Sequence, residues 1–584
     1  MTPQEKKIEE LYNSWMIHAR EDIDLVDELA IIRNDEDAKA DAFYRDLEFG
    51  TGGLRGVIGA GTNRMNIYTV RKASQGLADY VLSHFPEGAR SIAVSHDSRI
   101  KSDLFAKTAA EVFAANGIQV HIYSELMPTP MLSWAVRTLH CSAGIMVTAS
   151  HNPAKYNGYK VYGADGCQIT TQAAAEILAA IEKVDVFTGV KHTSFDEAVA
   201  AGNISYIKED VITSFIEAVK AQSVLNEQDH VDRDVAIVYS PLNGTGLKPV
   251  LRTLKETGFT NITVVKEQEQ PDGHFPTCPY PNPEIHEAMA LGMEYAAKHN
   301  ADLLLATDPD CDRVGIAVKG RDGGYVLLSG NEVGMMLLDF ICKKRLENGT
   351  MPKNPVFVKT IVTIDMAQRI AADYGVRTID VLTGFKFIGE QIGILESEGH
   401  PEDYILGFEE SYGYLSGSYV RDKDAVDGAF MICEMFAYYR TQGKSLLDVL
   451  DELYAKYGYC LNTLHSFTFE GMEGFGKMKA IMERMRGFED AAEPTIAGKR
   501  LECIEDYLAG KSFFADKMTQ DIVGLPASDV LKFRLSGSCS VVVRPSGTEP
   551  KLKLYISVSA PNKEEAAKIE KRIAAEFEKD FKEA

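Results

Sequence analysis

The chain has 584 residues, 45% of them hydrophobic and 25% charged, with a formal net charge of −23. So many residues exceed what one core organises and predict about three to five domains; the acidic balance argues against nucleic acid, whose phosphates demand basic surface. Nine cysteines stand singly with no C-x-x-C pair, which suits a reduced, cytoplasmic setting; the charged amino terminus predicts no secretory leader, and no apolar run reaches the ~18–20 residues of a membrane span.

In chain order, the spacing of apolar residues predicts surface helices over Lys7–Trp15 and Asp41–Leu47. From Ser91 strands and helices alternate: strand Ile92–Val94, helix Asp103–Asn116, strand Gln119–Tyr123, helix Met131–Leu139, strand Ala143–Val147. A second copy runs through strand Val235–Tyr239, helix Gly246–Glu256, strand Ile262–Val265, helix His286–His299 and strand Ala301–Ala306. A third has strand Pro355–Val358, helix Met366–Tyr374, strand Thr378–Leu382, helix Phe387–Glu398 and strand Tyr404–Leu406. Strands alternating with helices of about 10–15 residues predict mostly parallel sheets. The last part differs: an alternating strand Leu461–Phe469, a helix Gly476–Arg486, strands Val541–Val543 and Leu552–Ser559, and a charged helix Lys563–Lys582. Pro271–Glu284 holds five prolines and reads as a rigid connection. The expected fold class is therefore three similar α/β domains with mixed or parallel sheets, 1–218, 219–329 and 330–457, followed by a smaller α+β domain, 458–584.

The chemistry-bearing residues gather where strands end, the usual ligand edge of open α/β sheets. Thr148-Ala149-Ser150-His151-Asn152-Pro153 follows an apolar strand and sets a serine, a weak nucleophile unless a base assists it, beside His151. A plain turn explains the same residue types, and the G-x-S-x-G elbow of hydrolases is absent. In Asp308-Pro309-Asp310-Cys311-Asp312-Arg313, three carboxylates two residues apart converge on a hard cation if the loop curls, and Arg313 can then meet a phosphate. The competing reading is a solvated acidic turn; the glycine and glutamate of a calcium loop are missing. Glu409 and Ser411 suit sugar hydroxyls or a helix-capping acidic loop. Lys423, Asp424 and Asp427 precede a helix and suit its N-terminal charges as well as a site. Arg544, Ser546, Gly547, Thr548 and Lys551 suit a phosphate clamp or a turn between strands. The loop Phe49–Gly56 delivers Arg55; it lacks the strand a dinucleotide loop requires. Thr383-Gly384-Phe385-Lys386 lies between a strand and a helix, with Lys386 available for acid–base chemistry or for solvent.

Taken together, T-A-S-H-N-P at 148–153, D-x-D-x-D-R at 308–313, E-x-S at 409–411 and R-x-S-G-T at 544–548 resemble the α-D-phosphohexomutase superfamily over nearly the whole chain. The F-G-T-x-G-L-R start at 49–55 and the G-F-K at 384–386 match as well. The length and Gly407-Phe408-Glu409-Glu410-Ser411 look most like the bacterial phosphoglucomutase branch, itself similar to animal phosphopentomutases. One departure is Pro309 and Cys311, where many relatives carry glycines.

The resemblance implies four domains around a central cleft and a phosphorylated Ser150. It implies Mg²⁺ held by Asp308, Asp310 and Asp312 together with that serine. Glu409, Ser411, Arg313, Thr383, Gly384 and Lys423 are then expected at the sugar, and Arg544, Ser546, Gly547, Thr548 and Lys551 at the non-reacting phosphate. Lys386, Arg55 and His151 are the candidates for charge stabilisation and proton handling. The implied reaction converts glucose 1-phosphate and glucose 6-phosphate through glucose 1,6-bisphosphate. Rivals are the same chemistry on mannose, ribose or deoxyribose phosphates, a phosphatase, and a sugar-phosphate sensor without catalysis. The expected partners are small sugar phosphates, with no nucleic acid or membrane, in a monomer or homodimer.

Overall fold

A computed structural model describes residues 2–50, 52–469, 471–487, 495–546 and 551–582. The chain forms two compact units, one of residues 1–333 with 385–442 and the other of 334–384 with 443–584.

The first unit opens with helix Pro3–His18, started by a capping box between Thr2 and Glu5. Ile8, Tyr12 and Trp15 recur at helical spacing and are buried, so this surface helix, as expected, packs one face into the core. The helix expected over Asp41–Leu47 lies instead at Glu36–Phe43. The Asp35 carboxylate accepts the Ala38 N–H and starts it early, and the Leu47 N–H leaves to donate to the Thr62 carbonyl at 2.7 Å.

Seven strands follow: β1 (Phe49–Gly50), β2 (Gly53–Val57), β3 (Ser91–His96), β4 (Gln119–Ile122), β5 (Ala143–Val147), β6 (Tyr156–Gly163) and β7 (Ile204–Tyr206). Their order is β1-β2-β6-β5-β3-β4-β7, with β5, β3, β4 and β7 parallel and β6 antiparallel to both neighbours. Every residue of β5 is buried, which is why it reads as a continuous apolar run rather than an alternation. Helices Ser102–Ala115 and Thr129–Thr138 pack on β3 and β5.

A second sheet contains β8 (Ile237–Ser240), β9 (Ile262–Val264), β10 (Leu303–Thr307), β11 (Val314–Lys319) and β12 (Tyr325–Leu328), in the order β12-β11-β10-β8-β9. Its β9, β8 and β10 are parallel, and β11 and β12 add an antiparallel edge. Pro271–Glu284 contains neither helix nor strand. Further on, β13 (Val356–Thr360) and β14 (Arg377–Val381) pair in parallel within the second unit. In the first unit, β15 (Tyr404–Glu409) and β16 (Gly413–Leu415) form an antiparallel pair.

The carboxyl-terminal part is an antiparallel sheet of β17 (Tyr459–Thr468), β18 (Thr495–Ile496), β19 (Lys499–Asp506), β20 (Lys511–Phe514), β21 (Thr519–Asp521), β22 (Leu531–Leu535), β23 (Cys539–Pro545) and β24 (Lys551–Ala560). Helix Lys563–Lys582 turns Ile573, Phe577 and Phe581 onto it, joining Phe533, Val541 and Leu554 in one core. Three α/β domains with mixed sheets and a carboxyl-terminal domain built on an antiparallel sheet are thus the architecture expected. Among the described residues no helix is long and apolar enough to cross a membrane, and all nine cysteines are buried and free.

Candidate active site

Because β3 and β5 run parallel with His96 beside Val147, the loops that follow them emerge together. Asp97 Oδ2 accepts the Thr148 hydroxyl at 2.6 Å, and Thr148 Oγ1 accepts the Ser150 N–H at 2.8 Å. The Arg99 guanidinium donates to the carbonyls of Ser150, Asn152, Pro153 and Tyr156, the last two at 3.0 and 3.1 Å. These bonds hold Ser150 at a φ of 50°, left-handed backbone that costs a serine about 1–2 kcal/mol. Burial pushes the Asp97 carboxyl up, and Arg99 beside it opposes that rise.

The loop after β10 curls around Asp308. Its Oδ1 accepts the N–H groups of Asp312 and Arg313 at 3.1 and 3.0 Å, and its Oδ2 accepts the Ser150 hydroxyl at 2.8 Å. Asp310 Oδ2 accepts from the Thr129 hydroxyl at 3.0 Å and from Lys160 at 2.9 Å. Asp312 Oδ2 lies 3.1 Å from Lys423 Nζ and 3.6 Å from Lys160 Nζ. Cys311, with a φ of 51°, makes the tight bend in the left-handed region where glycine would be unstrained.

The three carboxylates each offer an oxygen within 4.8 Å of the others. Asp310 Oδ1 and Asp312 Oδ1 are buried with no hydrogen-bond partner among the described residues. Orphaned buried acceptors are costly unless something electropositive fills the space between them, and an all-oxygen set suits a hard divalent cation. Burial and the charges of Asp310 and Asp312 push Asp308 well above the carboxylate range. Asp310 is held low despite its burial, chiefly by the charge of Lys160 and its hydrogen bond, with Lys423 adding to it. The donors therefore fit a metal ion.

His151 Nδ1 stands 3.0 Å from Ser150 Oγ. Burial, with Arg313 and Arg55 nearby, holds its imidazole well below the usual range, and so neutral. Arg55, on β2, is exposed and within electrostatic reach of Asp310 and Asp312. Arg313 pairs with Glu284 and lies 3.8 Å from Asp312. Glu409, buried at the end of β15, acts on both Arg313 and Lys423, and Ser411 is half-buried two residues on. Lys423 is held above the ordinary lysine range against the pull of burial by Asp312, Asp422 and Glu409. The helix-capping role falls to Asp424, which accepts from the Val426 and Asp427 N–H groups; Asp427 instead accepts from Ser416.

Lys386 lies in the first turn of helix Phe385–Ser397, with its ammonium 5.1 Å from the Phe387 ring centroid and its carbonyl accepting the Cys167 thiol at 3.3 Å. Burial lowers its pKa. Thr383 and Gly384 (φ 121°) belong to the second unit. So does the loop expected to clamp phosphate: Arg544 is the next-to-last residue of β23, beside Lys553, and the Ser546 N–H donates to the Lys551 carbonyl at 2.8 Å. Gly547 and Thr548 lie outside the described residues. Hydrogen bonds and ion pairs thus link Ser150, His151, Asp308, Asp310, Asp312, Arg313 and Lys423 in one network.

That network includes residues the motifs did not announce: Asp97, Arg99, Thr129, Lys160, Tyr162, Glu284 and Asp422. Asp97-Ser98-Arg99 directly follows β3, the position that singled out Ser150 after β5, but the strand expected over Ile92–Val94 stops two residues short of the observed end at His96. Lys160 and Tyr162 share a face of β6, a strand that the apolar pattern did not indicate. The Tyr162 hydroxyl donates to Asp422 at 2.6 Å, and Asp422 neighbours Lys423.

Four domain models match the chain in order. They are the phosphoglucomutase/phosphomannomutase alpha/beta/alpha domains I, II and III, at residues 46–186, 213–323 and 329–457, and the C-terminal domain at 516–576. A Staphylococcus aureus (strain USA300) phosphoglucomutase is 36% identical over 531 residues, covering 90% of this chain and 92% of the relative. Among solved structures, a phosphoglucomutase from Paramecium in an open form superposes with a TM-score of 0.65 at 17% identity, over 91% of this chain and 94% of its own. A phosphoglucomutase/phosphomannomutase family protein from Burkholderia thailandensis gives 0.63 at 18%, over 91% and 96%. At such identities these two speak for the fold, while the four ordered domains and the bacterial relative speak for descent: the chain belongs to the phosphoglucomutase/phosphomannomutase family.

Proposed function

We propose that the protein is a phosphoglucomutase that interconverts glucose 1-phosphate and glucose 6-phosphate through a phosphorylated Ser150 and glucose 1,6-bisphosphate. The observation that carries this reading is the 2.8 Å contact between Ser150 Oγ and Asp308, which sets a nucleophile against a cluster of three carboxylates. The 36% identity to a bacterial phosphoglucomutase favours glucose over the other sugars.

The free sugar hydroxyl attacks the phosphorus on Ser150. An O–P bond forms to the sugar as the Oγ–P bond breaks, and the hydroxyl proton is available to restore the serine. Neutral His151, 3.0 Å from Oγ, can hold that proton at Nδ1. The bisphosphate turns end for end, and Ser150 takes back the other phosphoryl group. Mg²⁺, held by Asp308, Asp310, Asp312 and the phosphoserine, would neutralise charge on the transferring group. Lys160, Lys423, Arg55 and Arg313 supply fixed positive charge around the same point.

Glu409 and Ser411 would receive sugar hydroxyls, with Thr383, Gly384 and Lys386 beside the sugar. Arg544, Ser546, Gly547, Thr548 and Lys551 would clamp the phosphate that does not react. On this scheme 1–218 carries the phosphoserine loop, 219–329 the metal loop, 330–457 the sugar loop and 458–584 the clamp. The setting is cytoplasmic, for a monomer or homodimer that takes small sugar phosphates.

The test incubates the protein with Mg²⁺ and catalytic glucose 1,6-bisphosphate on glucose 1-phosphate, mannose 1-phosphate or ribose 1-phosphate in parallel, followed by phosphorus NMR. Glucose 6-phosphate should dominate, and Ser150→Ala should abolish it. Dominant ribose 5-phosphate or mannose 6-phosphate would reassign the sugar, and full turnover by Ser150→Ala would refute the mechanism.

A further inference from the structure

The proline-rich segment Pro271–Glu284 has no part in the reaction scheme, yet it is internally tied and touches both halves of the site. The Phe275 N–H donates to the Asp272 carbonyl at 3.2 Å, Cys278 to Phe275 at 3.0 Å and Ile285 to Asn282 at 3.1 Å. The Gln268 amide donates to the Thr277 hydroxyl at 3.1 Å. Five prolines fix φ along the same stretch, so it has little freedom to deform.

One end lies on the turn that carries Arg99. Phe275 is fully buried, its ring centroid 5.1 Å from the Arg99 guanidinium carbon. Gly273 presses against the same turn: a Cβ there would stand 2.4 Å from the Ile100 nitrogen and 2.7 Å from the Arg99 carbonyl carbon. Arg99 is the residue whose guanidinium holds the carbonyls around Ser150.

The other end lies on the metal loop. Glu284 pairs with Arg313, which directly follows Asp312. The Pro283 backbone closes on Gly315 in β11, where a Cβ would meet the Pro283 carbonyl oxygen at 2.6 Å.

We infer that Pro271–Glu284 is a brace that sets the Ser150 loop against the Asp308–Arg313 loop, with Phe275 and Glu284 as positioning residues acting through Arg99 and Arg313. The two loops hang from different sheets, and the Ser150–Asp308 contact spans 158 residues of sequence. A misplacement of about 1 Å between reacting groups costs on the order of a hundredfold in rate. A stiff element fixed at both ends resists that drift, which the hydrogen bonds within each loop do not address. The inference rests on the phosphoserine mutase reading.

The test measures kcat, KM for glucose 1-phosphate and melting temperature for Phe275→Leu, Phe275→Tyr, Glu284→Gln and the Leu/Gln double variant, beside wild type and Ser150→Ala. Phe275→Leu and Glu284→Gln should each lower kcat by about tenfold, with the KM of Phe275→Leu within about twofold of wild type. Phe275→Tyr, which keeps the ring under Arg99, should retain most of the rate. The double variant should lose well under the hundredfold product of the singles, because both changes release the same brace. Wild-type kcat in the singles, independent multiplication in the double, or losses that vanish at an assay temperature where every variant is folded would overturn the brace. An inert wild type, or a fully active Ser150→Ala, would instead strike the phosphoserine reading.

Discussion

Glu434 offers a test of the buried electrostatics that is independent of catalysis. It sits inside helix Ala425–Thr441, fully buried, with Oε1 accepting the Ser223 hydroxyl at 2.5 Å and Oε2 without a partner among the described residues. Arg233 is 3.6 Å away, too distant and too exposed to compensate. Burial therefore pushes its pKa up from 4.5 to about 7. The sign follows from proton binding: the folded state holds this proton more tightly than the unfolded chain. The stability it confers is complete below about pH 4.5 and is lost as pH rises through about 7. A shift of that size corresponds to about 3 kcal/mol in total, of which roughly 2.5 kcal/mol falls between pH 5 and 8. For a cooperative unit of roughly 400 residues, that is a change of about 3 °C in Tm. Glu434→Gln keeps the Ser223 bond and removes the titration. Calorimetry of both proteins from pH 5 to 8 should show the variant gaining about 3 °C on wild type across the range. Parallel pH profiles would refute the assignment, since the other raised carboxyls, Asp424 and Asp427, are present in both.

Three other outcomes are expected. Asp310→Asn removes one oxygen ligand and leaves Lys160 facing a neutral amide, so the Mg²⁺ concentration for half-maximal activity should rise about tenfold or more in a metal titration; an unchanged titration would place the ion elsewhere. Tyr162→Phe deletes the hydroxyl that holds Asp422 beside Lys423, and kcat should fall about tenfold with the melting temperature within a few degrees of wild type. All nine cysteines are buried, so Ellman's reagent should label almost none in the folded protein and all nine after denaturation; rapid labelling of the native chain would contradict the packing.

What the sequence determined by itself is whatever depends on neighbours along the chain. The buried strands Ala143–Val147 and Leu303–Thr307 are legible as apolar runs because both faces are covered. Ser150 and the three aspartates stand out because they directly follow such runs, and curling a loop needs only local geometry. The strands β6, β11 and β12 were not legible: β6 breaks its apolar residues with Asn157, Gly158 and Lys160, β11 carries Gly315, β12 has only four residues, and each owes its strand state to the partner it pairs with. The Asp41–Leu47 helix shifted because a cap at Asp35 and a long-range bond to Thr62 outweighed local periodicity. Only tertiary structure brings Lys160 to Asp310 across 150 residues, Tyr162 to Asp422 across 260, and Phe275 and Glu284 to the two arginines of the site. Each of those side chains is an ordinary lysine, tyrosine, phenylalanine or glutamate in the sequence. Its effect comes from burial and from distances of a few ångströms, and these exist only once the sheets have packed.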